Sequence, residues 1–254
     1  MDELIVGAHS IAAALLNPRR TTVDLVASED GWDDFLKRSR VDQRLLKVKP
    51  KFMAPHAVQE IARELYMDRK LEYQRVPGSI FLVTTPLETH EPSWLRDNLP
   101  KRDKIRILAL DSISDVNNGA AILRTACFFG VDVVILPQEN SFGFTPSFYR
   151  IASGATEHLT IVRSSHLTRT LTILKEEDVQ VWGLSEHSPQ PLTDQDLASP
   201  KICLVLGSED EGLSNSVMRN VSKTLSLTSQ GAIKSLNVST AATLALQLCF
   251  PPRT

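Results

Sequence analysis

Three short segments combine polar side chains with tight turns in a way that suits ligand binding and group transfer. In the first, residues 115–125 (DVNNGAAILRT), Asn118-Gly119-Ala120 forms a polar, tightly turning helix start and Arg124 lies six residues past Asn118. Six residues cover about one and two-thirds helical turns, so the pair share a face only if Asn118 lies in the preceding loop. The second, residues 207–213, reads Gly-Ser-Glu-Asp-Glu-Gly-Leu, with Gly207 and Gly212 bracketing three acids. Three carboxylates repel a polyphosphate and no G-K-[ST] follows, so this turn excludes the usual phosphate loop and favours a ligand without phosphate. The third, residues 233–242 (IKSLNVSTAA), leads through Ser235 and Asn237 into a helix whose small residues Ser239, Thr240, Ala241 and Ala242 permit close approach. Read singly, each segment has a plainer account: a capped helix with a surface arginine, a turn whose acids favour the positive end of the next helix, and a self-capped helix start.

These segments act together only if the elements around them bring them together. The second half opens with residues 105–110, IRILAL, a continuous apolar run fit for a sheet covered on both faces. Further strand-like runs at 131–136, 179–184, 202–206 and 224–227 alternate with helical patterns at 120–129, 167–177 and 240–249. This alternation predicts a mostly parallel α/β sheet. Ligands of such sheets bind beyond the carboxyl ends of the strands, so the turns there are the places to look. The first half predicts a helix at 9–16, a strand at 22–27, a helix at 32–38, a strand at 45–48, a helix at 57–65 and a buried strand at 79–85. Residues 86–104 are polar and interrupted by prolines, and are read as a boundary without a regular element. The expected organisation is a small domain over 1–86, a linker over 87–104 and a second domain over 105–254.

Bulk composition narrows the classes. The 254 residues are 42% hydrophobic and 23% charged, enough for one large or two modest globular domains. A net charge of −2 argues against non-specific coating of nucleic acid, which requires many phosphates to be neutralised at once. Any such site must be local, and residues 37–51 carry Lys37, Arg38, Arg40, Arg44, Lys47, Lys49 and Lys51 against Asp42. A solvated charged face is the other reading of that run. No apolar run approaches the roughly 20 residues that cross a bilayer, and the first 20 residues carry acids where a presequence would be basic, so a cytoplasmic chain with no membrane partner is expected. Cys127, Cys203 and Cys249 are odd in number and far apart, and the six histidines show no ligand spacing, so buried thiols and no metal are expected. A nicotinamide dehydrogenase is disfavoured because no G-x-G-x-x-G follows an early strand.

Taken in order, Asn118…Arg124, Gly207-x-Glu209-x-x-Gly212-Leu213 and Ser235-Leu236-Asn237-Val238-Ser239 resemble the three motifs of the SpoU (TrmH-type) branch of the SPOUT RNA methyltransferases, including the 26-residue step from Glu209 to Ser235. The connecting Phe128-Phe129-Gly130-Val131-Asp132 and Ala152-Ser153-Gly154-Ala155-Thr156-Glu157 are similar to the links of that family. The resemblance covers roughly residues 105–250. Gly7-Ala8-His9-Ser10-Ile11 looks like the start of the small L7Ae/L30e-like RNA substrate-binding domain of the ribosomal-RNA guanosine 2′-O-methyltransferases of this branch. Two positions depart: Gly119 and Ala120 fill the last two places of a usual Asn-x-Gly, and Val116 stands where a proline commonly follows the aspartate.

The resemblance implies an α/β fold of SPOUT type, with a deep trefoil knot, a mostly parallel sheet and a small α/β L30e-like N-terminal domain, assembled as a homodimer. It implies S-adenosylmethionine as cofactor, held by Gly207, Leu227 and Leu236 with Ser235 nearby. It further implies a catalytic set of Asn118, Arg124, Glu209, Ser235 and Asn237 that methylates a ribose 2′-hydroxyl of RNA. A guanidinium is effectively always protonated, so Arg124 is expected to bind substrate phosphate and steady the developing alkoxide. The N-terminal domain favours 23S-type ribosomal RNA and guanosine, with Arg38, Arg40 and Arg44 as its candidate RNA contacts. Transfer RNA as substrate is the alternative within the class. A catalytically silent RNA-binding or ribosome-assembly protein is the alternative outside it, and the intact Arg124, Glu209 and Asn237 count against that one.

Overall fold

The structure, a computed structural model, describes residues 2–193 and 199–250. Strands β1 (Glu3–Ile5), β2 (Thr22–Ala27), β3 (Lys51–Phe52) and β4 (Ile80–Thr84) alternate with helices α1 (Ala8–Leu16), α2 (Glu29–Ser39) and α3 (Pro55–Asp68). There follow α4 (Ser93–Asn98), β5 (Ile105–Leu110), α5 (Val116–Phe128), β6 (Val133–Pro137), α6 (Pro146–Ala152), β7 (Thr160–Ser164) and α7 (Leu167–Glu176). The chain closes with β8 (Gln180–Leu184), β9 (Lys201–Leu206), α8 (Asn215–Met218), β10 (Lys223–Leu225) and α9 (Val238–Cys249). Contacts divide it into two compact units, Met1–Glu88 with Gly143–Glu157, and Thr89–Phe142 with His158–Thr254. The segment Gly143–Glu157, expected in the second half, thus belongs to the first unit.

In the first unit the sheet order is β1-β4-β2-β3, with β4 antiparallel to both neighbours and β3 parallel to β2 at the edge. Every residue of β4 is buried, as its central place demands. Val58, Ala62 and Tyr66, four residues apart along α3, pack with Val26, Phe81 and Val83. The reason Gly143–Glu157 joins this unit is a buried polar network. Arg20 Nη2 donates to Glu157 Oε1 at 2.7 Å and its Nη1 to Glu3 Oε2 at 2.5 Å. Asn17 Nδ2 donates to Glu157 Oε2 at 2.6 Å, and the Tyr149 hydroxyl donates to Glu3. The strand expected at 45–48 is absent: a single 3₁₀ turn at Gln43–Leu45, capped by Asp42, leads through irregular chain to β3. Ladder pairing begins only at Lys51.

In the second unit all neighbouring strands are parallel, in the order β10-β8-β9-β5-β6-β7. β9 inserts between β5 and β8 although β8 precedes it, so the direction of the strand order reverses at the β5/β9 pair. Residues 87–104, read as lacking a regular element, contain α4 and a 3₁₀ turn at Leu99–Lys101. Leu95 and Leu99, one turn apart, are fully buried in the apolar cluster that also holds Ile105 and Val179. Prolines on either side kept the helix too short to show a period in sequence. α6, β7, α8 and the short strands β1 and β3 are likewise not legible in the sequence, being two to seven residues long.

Candidate functional site

Loops beyond adjacent strands diverge where strand order reverses, and the first two motifs follow β5 and β9, the pair at that reversal. Asp115 caps α5 by accepting from Asn118 N at 2.7 Å. This places Asn118 inside the first turn rather than before it. α9 is capped by Asn237, whose Oδ1 accepts from Ser239 N at 2.9 Å and from Ser239 Oγ at 2.6 Å. The two helices pack against each other, and Ala120 and Ala242 are both fully buried. Small side chains there let the two helix starts approach.

The convergence is a closed polar triangle. Asn118 Nδ2 donates to Glu209 Oε1. Asn237 Nδ2 donates to the same carboxylate oxygen at 2.7 Å and to Asn118 Oδ1 at 3.1 Å. Residues separated by 91 and 28 positions therefore meet at one atom. The carboxylate sits beside two helix N-termini, whose partial positive charge favours an anion there. Glu209 Oε2 has no hydrogen-bond partner among the described residues, which leaves one acceptor of the carboxylate free.

The acidic turn has its shape from glycine. A Cβ on Gly207 would lie 2.1 Å from the Gly212 carbonyl carbon and oxygen, so no side chain fits there. Ser208 N donates to Gly212 O at 3.0 Å, Gly212 N donates back to Ser208 O at 3.1 Å, and Gly212 takes a positive φ of 67°. At the first motif, Gly119 is buried so tightly that a Cβ would meet the Phe142 ring at 2.2 Å. The departure from the usual glycine position thus serves packing of α5 on Phe142.

Beside the triangle opens a cleft of about 400 Å³, and Gly207, Glu209, Leu227, Ser235 and Leu236 all line it. All four residues expected at the cofactor are therefore in one place. Ser185, Glu186 and His187, after β8, also line the cleft and were missed. The available signal was their place beyond the carboxyl end of a predicted parallel strand. The loop from 228 to 236 folds on itself: Ser229 Oγ donates to Ile233 O at 2.6 Å, and Lys234 Nζ donates to Gly231 O at 2.9 Å.

Arg124 is not brought to the triangle within this chain. With Asn118 helical, six residues put the two about 120° apart around the axis and about 9 Å along it. Arg124 is exposed and makes no hydrogen bond or ion pair with any described residue. Ser235 is exposed at the cleft. In the first unit Arg38 pairs with Asp34 at 2.8 Å and Arg44 with Asp42 at 2.7 Å, all four at the surface or partly exposed. Arg40 ends α2 in the left-handed conformation, φ 55°. Cys203 is fully buried and burial pushes its thiol well up, so it is an inert core residue. No helix among the described residues is long and apolar enough to cross a membrane.

A parallel sheet reversing at its central pair, with a glycine-shaped acidic turn and a polar triangle beside a ligand-sized cleft, defines the class of α/β domains that carry a small-molecule pocket at the strand reversal. The chain belongs to the SpoU rRNA Methylase family, whose model matches residues 106–247 and so spans all three motifs. It is 29% identical over 246 residues to the 23S rRNA (guanosine-2'-O-)-methyltransferase RlmB of Escherichia coli (strain K12), covering 97% of each chain. Its fold is similar to that of the SpoU methyltransferase AviRb from Streptomyces viridochromogenes in complex with AdoMet, with a TM-score of 0.74 at 21% identity over 98% of this chain and 89% of that one. The AdoMet-bound rRNA methyltransferase from Sinorhizobium meliloti is a further neighbour, with a TM-score of 0.68 at 19% identity over 98% and 86%.

Proposed function

We propose that the protein is an S-adenosylmethionine-dependent RNA 2′-O-methyltransferase that acts on a guanosine of 23S-type ribosomal RNA. The observation that carries this reading is the Asn118–Glu209–Asn237 triangle at the mouth of the leucine-floored cleft. The cleft suits the cofactor. Its volume of about 400 Å³ falls in the small-molecule range, its leucines match an adenine, and Glu186, Glu209, Asp210 and Glu211 match a ligand bearing a sulfonium and an ammonium and no phosphate. Gly207, Leu227, Ser235 and Leu236 would hold it, and when bound it supplies an activated methyl group.

The chain's own residues supply position and charge. Asn237 and Asn118 fix Glu209 from two sides, so that its free oxygen can accept from the substrate nucleotide and hold the ribose in line. Arg124 binds the substrate phosphate and steadies the charge developing on the ribose oxygen. Its exposed position on another face of α5 favours service to the site of a second copy, in a homodimer. Ser235 shapes the third loop against the cleft. Family membership further supports a trefoil-knotted path for the last strands and α9, an RNA-gripping role for the first unit and a catalytic role for the second, and work in the cytoplasm.

The test joins binding to turnover. Calorimetry should give a single S-adenosylmethionine site per chain, and mapping of 2′-O-methyl positions in ribosomal RNA from cells with and without the protein should reveal one lost guanosine methylation. Arg124→Ala should abolish transfer and leave cofactor binding nearly intact. Near-normal turnover in that variant would remove Arg124 from the mechanism, and failure to retain the cofactor would sink the assignment.

A further inference from the structure

The edge of the first unit's sheet carries an unusual combination of side chains. β3 pairs only with β2 among the described residues, so its outer edge is open. Phe52 on that strand is 52% exposed, Met53 beside it 38%, and Leu45 in the run leading to it 60%. The basic residues of the same stretch divide into two groups. Arg38, Arg44 and Lys51 are matched by Asp34, Asp42 and Asp24. Lys37, Arg40, Lys47 and Lys49 are exposed and have no acidic partner among the described residues. In a chain of net charge −2 this gathers uncompensated positive charge in the run that leads to an exposed aromatic residue.

Lysines on an edge strand often serve only to deter pairing with other chains. That purpose is ill served by leaving Phe52, Met53 and Leu45 open to water, since apolar side chains on an open edge invite association. A ring and flexible apolar groups flanked by cations instead match unpaired nucleotides, whose bases stack on aromatic faces while lysines track the phosphates. A regular RNA duplex offers no base face for such a ring.

From this combination we infer that the Lys47–Met53 strip is a platform for single-stranded RNA, with Phe52 stacking on an unpaired base and Lys47 and Lys49 contacting its backbone. The inference rests on the reading of the protein as an RNA-modifying enzyme, and it relocates the RNA contact from Arg38 and Arg44, which are paired, to residues further along. The strip would hold a loop or bulge of the substrate while another nucleotide enters the catalytic cleft.

The test uses the full-length protein and a fluorescently labelled single-stranded oligoribonucleotide of mixed sequence, alone and annealed to its complement. Phe52→Ala should weaken binding of the single strand roughly tenfold, Phe52→Trp should restore it with quenching of the new indole, and the duplex should respond little. Replacing both Lys47 and Lys49 by alanine should reduce the salt slope of single-strand binding by about 1.4, or about 0.7 for each phosphate no longer neutralised. Equal binding by Phe52→Ala and the parent, or equal weakening of duplex and single strand, overturns the platform. That result leaves the enzymatic reading intact wherever cofactor binding and methyl transfer persist. Conversely, Phe52-dependent binding without methyl transfer to any RNA sustains the platform and removes the activity.

Discussion

Asn237 performs three tasks with one amide: it caps α9, accepts the Ser239 hydroxyl and holds both Asn118 and Glu209. Asn237→Ala should therefore cost about 1–2 kcal/mol through removal of the cap, a fall of about 2–8 °C in the thermal midpoint, together with a large loss of methyl transfer. A Glu209→Gln variant separates shape from charge. It should keep the fold and the midpoint while losing turnover, and parent-like kinetics would show that the carboxylate charge is dispensable. Gly207 is constrained more severely, because backbone atoms stand where a Cβ would be. Gly207→Ala must open the 207–213 turn, and calorimetry should register loss of cofactor affinity before the fold itself fails.

Among the elements, α6 and the 3₁₀ turn after it, Ala155–His158, are tied to the N-terminal sheet by buried polar side chains: Tyr149 of α6 donates to Glu3, and Glu157 of the turn pairs with Arg20. Burial by itself would lower the Arg20 pKa, but its hydrogen bonds to Glu157 and Glu3 and the charge of Glu157 hold it well above the ordinary value. Glu157→Ala leaves the buried guanidinium with Glu3 as its one carboxylate partner and should cost about 3 kcal/mol in urea unfolding, the low end for a broken buried pair. Because Arg20 keeps its proton through the accessible alkaline range, the pair adds no pH slope there. The alkaline slope comes from groups that the fold keeps protonated. Burial raises Cys203 above its ordinary 9.0, and burial with the nearby Glu3 charge raises Tyr149 above its ordinary 10.0. Each loses its proton first in the unfolded chain, so its contribution is complete below the unfolded value and stability falls as pH rises beyond it. The urea midpoint should decline from about pH 9 upward, and Cys203→Ala should flatten the first part of that decline.

At the scale of the whole molecule, the position of Arg124 is a statement about assembly. If it serves a second copy, mixing Arg124→Ala with Asn237→Ala chains should restore part of the activity that each lacks alone, since a mixed dimer holds one complete site. No recovery on mixing, with mixed dimers verified, would confine Arg124 to its own chain. The sequence carries in local patterns the parallel α/β character of the second half and the family: IRILAL at β5, Gly207 and Gly212 around three acids, and Ser235-Leu236-Asn237 before a small-residue helix. It misleads at residues 45–48, where leucines and a valine have no core to join, and it is silent on α4, whose two leucines acquire meaning only from the buried cluster they share with Ile105 and Val179. That Asn118 is helical and so lies on another face of α5 from Arg124, and that Glu157 pairs with Arg20, follow from the three-dimensional fold alone. Local sequence sets which groups are present and how their short segments turn. Which groups share an atom depends on the order of strands across a sheet and on contacts between residues more than a hundred positions apart, and no window of sequence contains that information.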